Sequence, residues 1–492
     1  MEEHVGTSPS LETRVVDWLA RRDVECYLVG GWVRDRLLER PSYDLDVVTA
    51  GDGLGLSRLL ADHFGGEYYP LDRARGTGRV ILHRDETRRL VIDVAQFRGQ
   101  DLVDDLADRD FTINALAVNV SAPDDIIDLH GGIVDLELGL LRVVSDESIR
   151  SDPLRALRAI RQAAELGLDL APETKAAVRQ DGGGIARISG ERIRDELARL
   201  LALDYAAQHL AQLDDLGLLT NIFPELEPLR GLAQPSPHHL DVFDHSLEIV
   251  RRLEELLNAM RGLPNYAIAI PDFLAPFTPR IQDHLARVLS DERPSRITLK
   301  LSALLHDTGK AAARTVDEEG RVRFIGHDKD GAQIVAAVLR RFRFSSAEVR
   351  VGHTIVRHHM RPLLLANQRS VSSRAIYRYF RATGKAGVET LVHALADHLA
   401  TYQPHAADDQ WPRLATLAAR MLGDYWDRKA ERIDPPLLVR GYDIMQECGL
   451  QPGPQIGELL ELVREAQVAE EIHSREEALD LIRGHLEEIQ GI

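Results

Sequence analysis

Two short segments near the N-terminus contain residues whose types and spacing suit chemistry on a nucleoside triphosphate. Gly30 and Gly31 follow a short apolar run, and Asp44 and Asp46 come soon afterwards with Leu45 between them. Because alternate residues of a strand point to the same side, both carboxylates would face one cleft. Mg²⁺ is usually held by one or two carboxylates together with phosphate oxygens. Two such ions can activate a hydroxyl and stabilise a departing pyrophosphate, so the pair predicts a catalytic nucleotidyltransferase site.

The glycine pair would form the phosphate side of that site. Glycines let the backbone approach a phosphate closely, and a helix that begins there favours an anion at its N-terminus. Arg34 lies one turn into this predicted helix, where its guanidinium suits a phosphate. Either motif alone would be weak evidence, since Asp-x-Asp is often a solvated strand end. Their order and spacing favour the catalytic interpretation.

Two later segments could contribute to the same site. Arg109 and Asp110 precede a predicted helix and could contact triphosphate and ribose, while Asn114 could bind the backbone or a sugar. An ordinary helix N-cap is the alternative. Asp152 and Arg155 are three residues apart, so we expect them as neighbours on one helix face. Such a pair could read a base edge without a template, or it could be a structural ion pair.

The second half of the chain contains histidines and aspartates that could hold a metal ion. The candidate ligands are His245, His306, Asp307 and Asp397, with His327, His358 and His359 as accessory residues. Imidazole and carboxylate groups in a helical setting suit a divalent transition metal. A lone histidine on a helix is usually structural, but the string His-Asp-x-Gly-Lys argues against that alternative. The accessory histidines could bind a second metal or a phosphate.

The elements that must position these residues fall into two parts. Up to about residue 140, short β-like runs such as 27–29, 80–82 and 90–94 alternate with helical ones, and the glycines at 131–132 favour a hairpin or a hinge. From about 145 helical periodicity dominates. We therefore predict an α+β protein, with a mixed α/β head followed by a mostly helical neck, body and tail.

Composition excludes several classes of protein. The 492 residues suggest about three domains, and the two cysteines argue against a disulfide framework. With neither a signal peptide nor an apolar run of 18 residues, we expect a cytoplasmic protein without membrane contact. The net charge of −18 is unusual for a protein that binds nucleic acid. Arginines between 142 and 199 nevertheless predict a local basic surface that could bind phosphates.

The ordered motifs, over about residues 25–200, resemble those of class II tRNA nucleotidyltransferases (the CCA-adding enzymes) and of the related bacterial poly(A) polymerases. The motifs are Gly-Gly-x-Val-Arg-Asp, Asp-x-Asp, Arg-Asp-Phe-Thr-x-Asn-Ala, Gly-Gly-x-x-Asp-Leu and Asp-Pro-Leu-Arg-x-x-Arg-x-x-Arg. The resemblance implies Mg²⁺ at Asp44 and Asp46, and tRNA, CTP and ATP as partners. The implied nucleotide-binding residues are Gly30, Gly31, Arg34, Arg109, Asp110, Asn114, Asp152, Arg155, Arg158 and Arg161.

Two departures from the family pattern bear on specificity. Many members have Glu where this chain has Ser151, and that residue is thought to orient the arginine that reads the base. Only fifteen residues separate Asp93 from Arg109, where members with full CCA activity often carry a longer flexible loop associated with the switch from CTP to ATP. The short connection raises a CC-adding enzyme as an alternative, in which a second enzyme supplies the final A, so addition of CCA and addition of CC both stay open.

Residues of about 238–400 resemble an HD phosphohydrolase domain. The resemblance implies metal binding by the residues that match His245, His306, Asp307 and Asp397, with Mn²⁺, Ni²⁺, Co²⁺ or Mg²⁺ as the ion. It also implies hydrolysis of phosphomonoesters or phosphodiesters, such as 2′,3′-cyclic or 3′ phosphates at RNA ends. The segment 452–457 resembles the C-terminal helical region of tRNA nucleotidyltransferases that carry an HD domain.

The expected domains are a nucleotidyltransferase head (1–140), a helical neck and body (141–235), an HD domain (236–402) and a tail that binds tRNA (403–492). No stable protein partner is inferred. The alternatives are a poly(A) polymerase, an HD phosphohydrolase whose head only binds nucleotide, and a noncatalytic RNA-binding protein.

Overall fold

The computed structural model describes residues 10–83, 89–264, 268–402 and 410–490. Its chain divides into two compact units. The first comprises the residues up to Ile188 together with Leu213–Asn221, and the second comprises Ser189–Gln212 and the residues from Ile222 onward. No helix of the described residues is both long enough and apolar enough to cross a membrane.

The first unit is built on a mixed sheet in the strand order β3-β4-β5-β2-β1-β6-β7. The strands are β1 (Cys26–Val29), β2 (Asp44–Thr49), β3 (Glu67–Asp72), β4 (Thr77–His83), β5 (Arg89–Gln96), β6 (Leu116–Asn119) and β7 (Ile126–Asp128). Strands β2 and β5 run parallel, while the other neighbours are antiparallel. The predicted strands at 27–29, 80–82 and 90–94 are thus confirmed; the charged turn between the last two lies in 84–88, outside the described residues.

Helices cover the sheet and continue the first unit beyond it. They are α1 (Leu11–Ala20), α2 (Gly31–Leu37), α3 (Gly53–Phe64), α4 (Leu102–Ala107), α5 (Gly132–Glu137), α6 (Ser148–Ser151), α7 (Leu154–Leu166) and α8 (Pro172–Asp181). The core lies between α1, α3 and the sheet, where side chains such as Leu19, Leu28 and Leu60 are fully buried. A short pair, β8 (Leu140–Leu141) and β9 (Asp169–Leu170), links the start of the helical region to the end of α7.

The glycine pair at 131–132 is not a hairpin. Gly131 adopts a left-handed conformation with φ of 76°, and α5 begins at the next residue. The Asp128 carboxylate accepts hydrogen bonds from the backbone N–H groups of Gly132 and Ile133, both at 2.9 Å. These two donors have no partner within the helix, so a side chain that accepts from them favours a helix start over a second strand.

Beyond α8 the chain is helical, as predicted, and strands among the described residues are only two or three residues long. The helices are α9 (Gly190–Ala202), α10 (Ala206–Asp215), α11 (Leu219–Ile222), α12 (Val242–Met260), α13 (Thr278–Ala286), α14 (Ser295–Leu305), α15 (Lys310–Ala313), α16 (His327–Arg341), α17 (Ser346–His358), α18 (Met360–Ala366), α19 (Ser373–Thr383), α20 (Gly387–Thr401), α21 (Gln410–Trp426), α22 (Lys429–Arg432), α23 (Gly441–Cys448), α24 (Pro454–Val468) and α25 (Arg475–Gln490). The short strands are β10 (Val288–Ser290), β11 (Arg293–Pro294), β12 (Thr315–Val316) and β13 (Val322–Arg323).

The second unit contains two packed groups of helices. Helices α12, α14, α17 and α20 contact one another around buried apolar side chains, and α16 lies against α17. Helices α23, α24 and α25 form a smaller separate core that includes Ile444, Leu459 and Ile482. Arginines of α19 pair with glutamates near this smaller core, as in the two contacts of Arg378 with Glu465.

Candidate active sites

Strand register brings three carboxylates together at one end of the sheet. On β2, Asp44 is exposed, Leu45 is buried in the core and Asp46 is partly buried. The parallel register of β2 and β5 places Asp93 directly beside Asp46. Burial, reinforced by the charges of Asp93 and Asp44, raises the pKa of Asp46 to about 6 despite the opposing charge of Arg109. Neighbouring carboxylates that resist ionisation together are typical of a site built to receive cations.

Asp93 was not among the predicted site residues. It alternates with the buried Ile92 and Val94, so an acid within an apolar strand was the available signal. Arg79 on the neighbouring β4 donates to both carboxylate oxygens of Asp93, each at 2.8 Å. This bidentate pair fixes the direction of the Asp93 carboxylate next to the Asp-x-Asp strand.

Gly30 forms the floor between the carboxylates and a buried arginine. Its φ is 72°, and a Cβ there would lie 2.9 Å from Arg109 Nη1 and 3.3 Å from Asp46 Oδ2. Only glycine fits this conformation and this space without strain. Arg109 is itself anchored by Asp105 on α4, which accepts from its Nε at 3.1 Å and from its Nη2 at 2.9 Å. Asp105 is a second residue that the sequence analysis did not identify.

Two hydrogen bonds and one ion pair connect four of the predicted nucleotide-binding residues. Arg34 Nη1 donates to Asn114 Oδ1 at 2.7 Å, Asn114 Nδ2 donates to Asp110 Oδ1 at 2.9 Å, and Arg158 Nε lies 2.7 Å from Asp110 Oδ2. We call Arg34, Asn114, Asp110 and Arg158 the head relay. Asn114 Nδ2 also donates to Gln162 Oε1 at 2.9 Å, so Gln162 supports the relay from α7.

Within the head relay, the Asp110 carboxylate is held in its charged form beside the Arg158 guanidinium. Burial opposes ionisation of Asp110, but Arg158, Asn114 and the backbone N–H of Phe111 together hold its pKa below the usual value. Arg34 and Arg158 are therefore oriented in advance, at opposite ends of the relay. Arg161 is arranged differently, because it is 3% exposed and pairs with Glu165 one turn along α7. Its guanidinium is not open to a phosphate in this structure.

Asp152 and Arg155 do not share a helix face. Asp152 is extended, with φ of −143° and ψ of 94°, and precedes α7 instead of lying on it. The cause is Pro153, since a residue before proline is disfavoured from the helical region. The Asp152 carboxylate accepts from the backbone N–H of Leu154 at 3.3 Å, and Arg155 lies in the first turn of the helix. The expectation of an intrahelical pair is therefore wrong.

The Arg155 guanidinium is held by backbone carbonyls. Nη2 donates to Asp108 at 2.7 Å, and Nη1 donates to Arg109 at 3.3 Å and to Ser148 at 3.2 Å. Ser151 Oγ, at the position where many family members have Glu, is 3.5 Å from Nη1, at the outer limit of a hydrogen bond. Backbone carbonyls thus fix the direction of the Arg155 guanidinium in this chain.

Two of these carbonyls, those of Asp108 and Arg109, lie at the end of the short connection between β5 and Arg109. Within that connection, the backbone N–H of Arg98 donates to Asp105, and the backbone N–H of Gln100 donates to Asp104. Helix α4 inside it is capped by Asp101, which accepts from the N–H of Asp104 at 3.0 Å. The connection is therefore a folded segment, and its last residues bind Arg155 directly.

The predicted histidine–aspartate residues converge in the second unit. His245 Nε2, on α12, lies 3.0 Å from Asp397 Oδ1 on α20. His306 Nε2, at the end of α14, lies 3.1 Å from Asp307 Oδ2 and 4.0 Å from Asp397 Oδ1. Two sets have ligand atoms close enough to share an ion: His245, His306 and Asp397, and His306, Asp307 and His359. We call these five residues together with His327 the HD centre.

The hydrogen bonds of the histidines fit a metal centre. In His306, His327 and His359 the Nδ1 atom bonds a backbone carbonyl three residues earlier, at 2.7 to 2.8 Å. A carbonyl only accepts, so Nδ1 carries the proton and Nε2 is directed to the cluster as a ligand atom. Neither oxygen of Asp307 receives a well-oriented hydrogen bond from the described residues, although Lys310 Nζ is 2.6 Å from Oδ2. These donors suit a divalent transition metal.

The electrostatics of the centre also favour a cation. Burial would raise the pKa of Asp307, but His306 and Lys310 hold it well below its usual range. Asp397 behaves in the same way, because His245 and His306 outweigh its burial. The two carboxylates in turn raise the pKa of His306 against the effect of burial, so positive charge is favoured between them. A bound metal ion would supply that charge.

One predicted accessory residue lies apart from the HD centre, and one unpredicted residue lies against it. His358 is half-buried beside Arg357 and Arg361; burial and these charges lower its pKa to about 4. His393 is fully buried on α20, one turn before Asp397, with its ring centroid 5.1 Å from that of His306. Its four-residue spacing from Asp397 was the signal that could have identified it.

A cavity of about 580 Å³ opens onto the HD centre. Its inner end is formed by His306, Asp307 and Asp397, and Lys310 also lines it. The outer walls are largely apolar and include Phe324, Ile325, Leu363, Leu364 and Tyr402. The cavity could thus hold a charged group against the cluster and an apolar or aromatic group farther out.

Comparisons with known proteins find relatives of both the head and the second unit. Family models match the Poly A polymerase head domain over residues 26–142, the RNA and SrmB-binding site of polymerase A over 167–229, the HD domain over 242–402 and tRNA nucleotidyltransferase domain 2 over 333–482. The chain is 32% identical to the A-adding tRNA nucleotidyltransferase of Deinococcus radiodurans, over 94% of this chain and 96% of the relative. It is 31% identical to the CC-adding tRNA nucleotidyltransferase of Thermus thermophilus, over 92% of each.

Solved structures show the same fold. A CCA-adding enzyme in apo form I aligns with a TM-score of 0.63 and 21% identity, covering 96% of this chain and 92% of that one. The structure of a CCA-adding enzyme with CTP aligns with a TM-score of 0.63, also at 21% identity, over 98% and 96%. The chain therefore belongs to the tRNA nucleotidyltransferase family, and it is a nucleotidyltransferase that also carries an HD domain.

Proposed function

We propose that the head transfers CMP or AMP from CTP or ATP to the 3′ end of tRNA without a template. The observation that carries this proposal is the convergence of Asp44, Asp46 and the head relay at one end of the sheet. The full-length relatives, all named as tRNA nucleotidyltransferases, support tRNA as the acceptor.

The geometry suggests a role for each group in the head. Mg²⁺ held by Asp44 and Asp46 would neutralise the triphosphate and favour ionisation of the attacking hydroxyl. Arg34, which is held by Asn114, and Arg158, which pairs with Asp110, would bind the phosphates. The tRNA 3′-oxygen attacks the α-phosphorus. The bond between the α-phosphorus and the oxygen that bridges it to the β-phosphate then breaks, and pyrophosphate leaves. Catalysis would consist mainly of positioning and charge stabilisation.

Incubation with a tRNA transcript that lacks its CCA end tests this proposal. We expect labelled CMP to be joined to the 3′ end with CTP and Mg²⁺, and we expect Asp44→Ala to abolish the product. A folded wild-type protein that incorporates no nucleotide would overturn the assignment of the head. Unlimited incorporation of AMP would instead indicate a poly(A) polymerase.

We further propose that the chain adds only part of the CCA end, namely CC. Arg155, which family resemblance assigns to base recognition, is bound to carbonyls of Asp108 and Arg109 at the end of a short, folded connection. A guanidinium that is held in one arrangement favours recognition of one nucleotide base over recognition of two different bases. Four curated relatives that match more than 90% of this chain are named A-adding or CC-adding enzymes, whereas four that are named CCA-adding enzyme or CCA protein match 40 to 70% of it.

A-adding activity is the second candidate, because the relative at 32% identity carries that name. Competition between CTP and ATP on one transcript separates the two. The CC proposal expects strong preference for CTP in the wild type and a reduced preference in Arg155→Ala. If the wild type and Arg155→Ala showed the same preference for CTP over ATP, this would contradict a base-reading role for Arg155.

For the HD centre we propose phosphohydrolase activity on 2′,3′-cyclic or 3′ phosphates of RNA ends. His245, His306, Asp307 and Asp397 would hold the ion, which when bound would polarise the phosphoester and water. Lys310 lies beside Asp307 at the inner end of the cavity and would bind a phosphate oxygen there. Absence of phosphate release from such ends with Mn²⁺, Ni²⁺ or Co²⁺ would refute this activity.

A further inference from the structure

Two aromatic side chains line the cavity just outside the charged groups of the HD centre. Lys310 Nζ lies 2.6 Å from Asp307 Oδ2 and 5.5 Å from the centre of the Phe324 ring. The ring of Tyr402 lies 4.7 Å, between centroids, from that of His398, which directly follows the aspartate of the HD centre on α20. The lining of the cavity thus changes from ionic to aromatic within a short distance of both carboxylates.

Apolar side chains at the same cavity are exposed to solvent. Ile325 is 78% exposed and Leu364 is 59% exposed, although both line the cavity. Ile325 follows the short strand β13, and Leu364 lies on α18, so the two side chains come from separate elements. Exposed apolar side chains around a concave site are typical of a surface that a ligand covers.

The cavity suits a ligand with a charged end and a planar aromatic end. Lys310 and the carboxylates that would hold metal suit a phosphate at the inner end. The rings of Phe324 and Tyr402 suit a nucleobase farther out, because every base has a π-face that can stack on an aromatic side chain. The amide of Asn367 also lines the cavity and offers donors and an acceptor to the edge of a base. The volume of about 580 Å³ lies within the usual range of small-molecule sites.

We propose that the outer part of this cavity is a nucleobase site, which receives the base of the terminal ribonucleotide whose 2′,3′-cyclic or 3′ phosphate lies at the HD centre. We call it the base cavity; it is lined by Phe324, Ile325, Leu364 and Tyr402. The inference rests on the proposed phosphohydrolase activity and identifies the part of the RNA that the site recognises. A base in this cavity has left the stack of its neighbours, so the RNA end is unpaired.

Hydrolysis of two cyclic phosphodiesters tests the proposal. A nucleoside 2′,3′-cyclic monophosphate carries a base, whereas glycerol 1,2-cyclic phosphate has the same cyclic ester without one. The full chain carries Asp44→Ala and Asp46→Ala and is assayed with Mn²⁺. We expect kcat/KM to favour the nucleotide, and Tyr402→Ala to reduce this preference by about 5- to 150-fold, the effect of losing one base–aromatic contact. Equal kcat/KM for the two esters without the Tyr402 substitution would overturn the base cavity.

Three further variants separate base binding from a general effect on folding. Tyr402→Phe retains the ring and should retain the preference for the nucleotide. Ile325→Ala, at an exposed position, should reduce the preference by a smaller factor. Tyr442→Ala, at an exposed position on α23, is the matched control and should leave the preference unchanged. An unchanged preference in both Tyr402→Ala and Ile325→Ala would overturn the proposed place of the base.

RNA ends test whether the base must leave its stack. We expect an RNA whose cyclic phosphate lies on an unpaired 3′ overhang to react faster than one with the same terminal nucleotide at a blunt duplex end. Equal rates on the two RNAs would contradict entry of the base into the cavity.

Binding gives a readout that does not depend on hydrolysis. By titration calorimetry in the same background, a nucleoside 3′-monophosphate should bind more weakly to Tyr402→Ala than to the chain with Tyr402, while Tyr442→Ala should not change its affinity. Unchanged affinity in Tyr402→Ala would overturn the base cavity. If a folded protein hydrolyses neither cyclic ester, the phosphohydrolase proposal fails, and the binding measurement still decides whether the base cavity exists.

Discussion

The two candidate sites of this chain differ in burial and in the groups that surround their carboxylates. The head places Asp44 at an exposed strand end and has arginines ready for a polyanion, so its charges match a triphosphate that arrives with its ions. The HD centre is buried, and backbone carbonyls orient its imidazoles toward one another. We infer that the head recruits metal together with substrate, whereas the HD centre holds metal between turnovers.

The largest expected effect is the separation of the two activities by loss of the head carboxylates. Replacing Asp44 and Asp46 by Ala should lower nucleotide addition by about 10³-fold or more, because metal-based charge stabilisation contributes several kcal/mol. Single-turnover incorporation on tRNA measures the loss. Hydrolysis and metal content at the HD centre should stay unchanged; a parallel fall in both would show that the sites are not independent.

Asp307→Ala should have the reciprocal effect. The variant removes a carboxylate that faces His306, His327 and Lys310, so bound metal and phosphate release should both fall, the latter by about 10³-fold. Metal analysis and phosphate release measure the two losses. Asp330→Ala, an exposed acid on α16, is the control. Normal hydrolysis by Asp307→Ala would remove the HD centre from the chemistry.

A smaller effect is expected from interrupting the head relay. Asp110→Asn keeps the shape but loses the charge between Asn114 and Arg158, and a hydrogen bond to a charged group contributes about 1.5–3 kcal/mol. Addition should slow by about 10- to 100-fold, mostly through weaker nucleotide binding. Steady-state kinetics would show this, with the exposed Asp124→Asn as control. Wild-type kinetics in Asp110→Asn would mean that the relay is structural only.

The smallest effect is a pH dependence confined to the head. Asp46 must be ionised to bind a cation, and its pKa is raised to about 6. At limiting Mg²⁺, addition should therefore fall by up to about tenfold per pH unit below about 6, and additional Mg²⁺ should restore it. A profile that is flat down to pH 5 would contradict ionisation of Asp46 as the controlling step.

The site residues that could be predicted from the sequence are those whose positions depend on neighbouring residues along the chain. Asp44, Asp46 and Gly30 follow from strand alternation and a turn, and the histidines of the HD centre follow from their residue types. Asp93 was noticeable only as an acid within an apolar strand. Its position beside Asp46 depends on β5 lying next to β2, and that strand order is not visible in the local pattern. Tertiary packing likewise determines where His393 lies.

At two other positions the prediction from sequence was wrong because a helix begins at a different residue from the one expected. Asp152 looked like a helical partner of Arg155 by spacing alone, but Pro153 excludes it from the helix. The glycines at 131–132 were predicted to favour a hairpin or a hinge. The hydrogen bond that instead starts α5 comes from the side chain of Asp128, three residues before the first glycine, and the glycine pattern does not reveal it.

The most direct test of the account is extension of three tRNA transcripts that end before CCA, after the first C and after CC. Each is incubated with CTP, ATP or both, and the products are resolved at single-nucleotide length. We predict that the first two transcripts grow to CC and stop, and that the third is not extended. Addition of a terminal A to any of the three would contradict the proposal that the short connection holds Arg155 in a CTP-specific arrangement.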